Sequence, residues 1–76
     1  MQPLSQRVLQ MFKDMKRDAL DLHVMFEAAG NDPAKRQDVL DAVEELQREG
    51  LLVARGSDFY ALTEKGKQAI GKPVYN

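Results

Sequence analysis

Asp32 to Gly66 reads DPAKRQDVLDAVEELQREGLLVARGSDFYALTEKG, and it holds most of a fold in one run. Asp32 is a helix N-cap type and Pro33 suits the first turn, where its missing N–H loses nothing. Val39, Leu40, Val43 and Leu46, with Ala42, recur at helical spacing and predict an apolar stripe. Gly50 stops the helix. Leu51 to Arg55 and Phe59 to Thr63 read as paired strands, joined by Gly56-Ser57-Asp58, a glycine-containing connection of hairpin length. Alternation puts Tyr60 and Leu62 on one face, with Phe59 and Ala61 on the other. Thr63 then caps a last short helix, about 64 to 70, which Gly66 weakens.

Outward from that stretch, Leu4 to about Arg17 predicts a first helix, with Leu4, Val8, Phe12 and Met15 recurring and Leu9 and Met11 widening the stripe. Asp18-Ala19-Leu20 is a break with room for one rung of a strand beside the hairpin. Asp21 is the expected N-cap of a second helix that buries Leu22, Met25, Phe26 and Ala29 and stops at Gly30. Phe12, Met15, Met25 and Phe26 are read as core. The expected architecture is α+β, mainly α: three helices, a β-hairpin and a short C-terminal helix. One domain covers 1–71, and 72–76 is a tail.

The bulk numbers fit this. Seventy-six residues hold one small core. There is no cysteine, so neither a disulfide framework nor a thiolate metal site is open to the chain, and a cytoplasmic location is expected. No apolar run approaches the roughly 18 residues of a membrane span, and the start has no basic segment followed by an apolar one. Net charge is −1, but unevenly spread. Between Asp21 and Gly50 eight acids face three bases, leaving that segment five negative. The other bases fall in the first helix and after the third.

Three segments together resemble the winged helix-turn-helix family, including MarR-like and PadR-like bacterial regulators. Asp21 to Gly30 is similar to its short second helix. Asn31 to Leu52 is similar to its recognition helix and the exit into the hairpin, and Tyr60-Ala61-Leu62-Thr63-Glu64-Lys65-Gly66 to its aromatic, leucine, threonine, glycine ending. The resemblance covers nearly the whole chain. It implies a small sequence-specific DNA-binding protein, a transcriptional regulator acting as a homodimer, with its third helix in the major groove. The same fold also serves as a protein-binding module, and the acidic helix pair favours that alternative, because a duplex repels acid.

Under the DNA expectation, Lys35, Arg36, Gln37, Asp38 and Asp41, beside Ala34, meet base edges. The same residues also read as the solvated face of an amphipathic helix. Arg55 and Ser57 on the hairpin, Lys65 and Lys67 by the last helix, and Lys13, Lys16 and Arg17 on the first would contact phosphate. Arg55 reads equally as an edge-strand charge that discourages aggregation.

Chemistry is sparse. His23 is the only histidine and reads as a partly exposed helix residue rather than a metal ligand. Ser5 and Ser57 have no evident activating base. Glu44 and Glu45 point apart on their helix. No Gly-rich phosphate loop is present. No enzymatic activity, cofactor or membrane partner is expected. Val53, Phe59, Val74 and Tyr75 are expected to be partly exposed, as an apolar patch near the hairpin and tail suited to a subunit interface; the same residues also read as a tail that merely covers the small core.

Overall fold

The computed structural model describes residues 3–71. The tail at 72–76, with Val74 and Tyr75, lies outside the described residues. The chain runs α1 (Pro3–Met15), β1 (Ala19–Asp21), α2 (Leu22–Ala28), α3 (Pro33–Arg48), β2 (Leu52–Arg55), β3 (Phe59–Leu62) and α4 (Glu64–Ala69). It is an α+β fold, mainly helical, with one three-stranded antiparallel sheet in the order β1-β3-β2.

Local chemistry starts α2, α3 and α4 where expected. Asp21 accepts from the His23 N–H at 2.6 Å, and Asp32 accepts from the Ala34 N–H at 3.0 Å with Pro33 in the first turn. Thr63 Oγ1 accepts from the Gly66 N–H at 3.0 Å. These contacts satisfy N–H groups that a helix start otherwise leaves without partners.

The first three helices stop by one device. The residue just past the cap turns left-handed, and two amides reach back to the last carbonyls. After α2, Gly30 donates to Glu27 and Asn31 to Phe26; after α3, Gly50 donates to Gln47 and Leu51 to Leu46. After α1 the same pattern runs from Lys16 to Lys13 and from Arg17 to Phe12. There the left-handed residue is a lysine, Lys16, at φ 56°. This stop shortens α1 to Met15, two residues before the expected end, and leaves Met15 39% exposed rather than in the core.

The core is built from α1 (Val8, Leu9, Met11, Phe12), α3 (Val39, Ala42, Val43, Leu46) and Met25 of α2, roofed by Leu20, Leu51, Leu52 and Leu62. Leu22, Phe26 and Ala29 are half-buried against it. Leu40 departs from the expected stripe. It sits about 100° round the helix from Val39, beyond the arc that α1 covers, and is 37% exposed.

The sheet register is fixed by pairing. Leu52 lies opposite Leu62 and Arg55 opposite Phe59 on one side of β3, with Ala19 opposite Ala61 and Asp21 opposite Phe59 on the other. The expected single rung at Asp18–Leu20 is therefore a three-residue strand displaced by one position. Leu20, Leu52 and Leu62 point into the core.

Gly66 has a role that helix propensity does not convey. A Cβ there would stand 2.1 Å from the Leu51 carbonyl oxygen, so the glycine lets α4 close onto the exit of α3. Propensity alone credits Gly66→Ala with about 1 kcal/mol of stabilisation. The contact reverses the sign, and urea unfolding is expected to show a loss of about 1–3 kcal/mol. A more stable variant would contradict the packing. Lys16→Gly is expected to raise stability by about 0.5–1 kcal/mol, since a side chain is strained in the left-handed region. A lowered urea midpoint would count against the stop described for α1.

Candidate interaction surfaces

α3 presents its polar side outward. Opposite the buried Val39, Val43 and Leu46, helical spacing of about 100° per residue sets Ala34, Gln37, Asp41, Glu44 and Arg48 in one stripe. Its polar members pair along the helix. Gln37 donates to Asp41 at 2.9 Å, and Arg48 lies 3.5 Å from Glu44. Two acids and one base make the stripe one negative.

The two bases of the first turns lean away from that stripe. Arg36 lies over the Phe26 ring, 5.3 Å from its centroid, in a cation–π contact that ties α3 to α2. Lys35 and Asp38 border a shallow hollow between the starts of α1 and α3, beside Leu4 and Arg7. All five residues expected to meet bases are exposed.

The residues expected to contact phosphate fall into separate groups. Lys65 Nζ donates to the Glu49 carbonyl at 2.9 Å, capping the far end of α3. Fourteen residues separate Glu49 from Lys35, about 21 Å along a helix. Lys67 is half-buried, with Glu64 at 3.9 Å. Lys13, Lys16 and Arg17 are exposed at the end of α1, where the Leu62 N–H donates to the Asp18 carbonyl at 2.8 Å. They therefore adjoin the base of the hairpin, while Arg55 and Ser57 are exposed at its tip.

The sheet offers a different surface. With Leu20, Leu52 and Leu62 turned inward, alternation turns Ala19, Asp21, Val53, Arg55, Phe59 and Ala61 outward. Val53 is 42% and Phe59 43% exposed, the two highest values among the large apolar residues described. Ala61 is covered by its neighbours, yet it lies outside the core cluster. A shallow hollow over this face is bordered by Arg55, Phe59, Asp18 and Lys67. The sequence identifies Val53 and Phe59 as an exposed pair. The expected rung at Asp18–Leu20 brings Ala19 beside the hairpin, but not Asp21, and it gives no register, because β1 joins the sheet through pairing some forty residues away in the chain. The local signal was Leu20, the one large apolar side chain between Ala19 and Asp21.

Among the described residues Ser5, Ser57 and His23 lie on separate elements. Ser5 is fully buried and donates to the Glu45 carboxylate. An acceptor thus stands beside Ser5 after all, but no substrate reaches it, and the pair instead joins α1 to α3. Ser57 is exposed. The His23 side chain is 80% exposed, its Nδ1 3.2 Å from Asp21. Among the described residues no group of three His, Asp or Glu side chains is placed to hold a metal, and no helix is long and apolar enough to cross a membrane.

No protein-family model, curated protein or solved structure matches the chain.

Ser5→Ala removes the donor to Glu45 and is expected to cost about 1–2 kcal/mol in chemical unfolding. Glu45→Gln, which keeps an acceptor, is expected to cost less. Equal losses would show that the hydrogen bond carries no weight.

Proposed function

We propose that the chain is a winged-helix protein-interaction module that uses the outer face of its sheet. The order helix, short strand, helix, tight turn, helix, hairpin supports the winged-helix reading. One contrast carries the functional part. The outward stripe of α3 is slightly acidic and pairs with itself, whereas the most exposed large apolar side chains, Val53 and Phe59, share one face of the sheet. A helix seated in a major groove gains from cations facing phosphate. Here the bases are split between the start of α3, its far end, the hairpin tip and the hairpin base. Exposed apolar residues set in a polar rim suit a protein surface.

A second reading, a DNA-binding regulator, is favoured by one observation. Arg36 and Gln37 are both exposed in the first turns of α3, and Arg55 is exposed on the hairpin.

Titration with mixed-sequence duplex DNA, at low ionic strength and then with rising salt, separates the two. The interaction module is expected to show no binding at low salt, and no change on replacing Lys35 and Arg36 by alanine. Binding that weakens steeply with salt, and is lost in that double variant, would overturn the proposal in favour of the DNA reading.

A further inference from the structure

The outer sheet face carries its charges in an order that suits a second copy of itself. One row across the three strands is Asp21, Phe59, Arg55; the next is Ala19, Ala61, Val53. The first row therefore has an acid at one end, an aromatic ring in the middle and a base at the other end. A two-fold axis running along β3, between two such faces, returns each row onto itself with its ends exchanged. Asp21 of each copy then faces Arg55 of the other, and Phe59 meets its counterpart on the axis. Ala19 lies opposite Val53, small against large. Isologous contacts of this kind are the commonest form of subunit association.

We infer that the protein self-associates face to face through this sheet, as a two-fold dimer in which Asp21 and Arg55 pair reciprocally across the interface. The inference rests on the interaction-module reading and names its partner. Packed sheets stand about 10 Å apart with strands within about 30° of each other. Side chains from Phe59 and Val53 fill that gap, and aromatic rings favour an offset arrangement. The Asp21 carboxylate is held in place by its cap: Oδ1 accepts from the His23 N–H, which leaves Oδ2 for a partner. Arg55 is exposed on an edge strand, and among the described residues no acid pairs with it. Three strands of three or four residues make a face of roughly 15 Å by 13 Å, about 200 Å², well under the roughly 800 Å² per partner of a standard interface. A face this small suits a weak, concentration-dependent association.

Sedimentation velocity of the full chain between about 5 μM and 1 mM tests this. The wild type is expected to shift from monomer to dimer within that range. Arg55→Glu sets acid against acid at both contacts and is expected to weaken association at least about tenfold. Asp21→Asn keeps an N-capping side chain and removes the charge. Combined with Arg55→Glu, it is expected to recover part of the loss, a coupling that only an Asp21–Arg55 contact produces. Phe59→Asp is expected to be monomeric, with a far-UV spectrum and melting curve that show the fold intact. A monomeric wild type at 1 mM, or Arg55→Glu dimerising as well as wild type, overturns the inference, and so does a double variant no better than Arg55→Glu. These outcomes are separate from the DNA titration: salt-sensitive duplex binding by a chain that still dimerises would defeat the interaction-module reading alone.

Discussion

The fold depends on the knot where α3 ends. A helix terminus exposes carbonyls that need donors, and here the end of α3 turns straight into a sheet. Leu51 and Gly50 amides reach back to Leu46 and Gln47. The last carbonyls are met from the other side of the hairpin. Lys65 Nζ reaches Glu49, Thr63 Oγ1 donates to Gly50 at 2.6 Å, and the Thr63 amide donates to Leu51 at 3.1 Å. Thr63 therefore works twice, ending α3 with its proton and starting α4 with its lone pair. Gly66 lets the two backbones meet. This knot fixes the hairpin relative to α3, and through the pairing of β3 with β1 it fixes the start of α2.

That constraint decides which surfaces are left for function. With the hairpin anchored, Leu52 and Leu62 roof the core and their neighbours in the strands must face out. α3 is clamped by Val39, Val43 and Leu46 against α1, so its opposite side meets solvent. That side carries its own partners at four-residue spacing. The sheet's outer side carries apolar groups with an acid and a base at the ends of one row. Exposed apolar area gains from being covered, while paired polar groups on a helix gain little, and this difference is the ground on which we propose the sheet rather than α3 as the interaction surface.

What was legible in the sequence was local. Asp21, Asp32, Thr63, Gly30 and Gly50 mark helix ends because capping acts within a few residues, and each performs that task. The hairpin and its alternation were readable for the same reason. Features set by distant partners were not. Leu40 fits the helical period, but the width of the arc that α1 covers leaves it exposed. Met15 was lost to the core because Lys16 takes a conformation usually reserved for glycine. Lys65 stands beside a helix start in the sequence, where a phosphate contact is expected, yet a carbonyl sixteen residues earlier holds it. The sequence marks Asp21 as a cap, and only the β1–β3 register makes it also the end of a row.

The central claim, that this chain meets its partner through the sheet and not through α3, is tested most directly by amide chemical shifts. Recording the backbone amide spectrum while the concentration of the protein is raised reports every surface at once. Shifts confined to residues 19–21, 53–55 and 59–61, with 34–41 unmoved, are the predicted result. Shifts centred on 34–41, or none at any concentration, would contradict it.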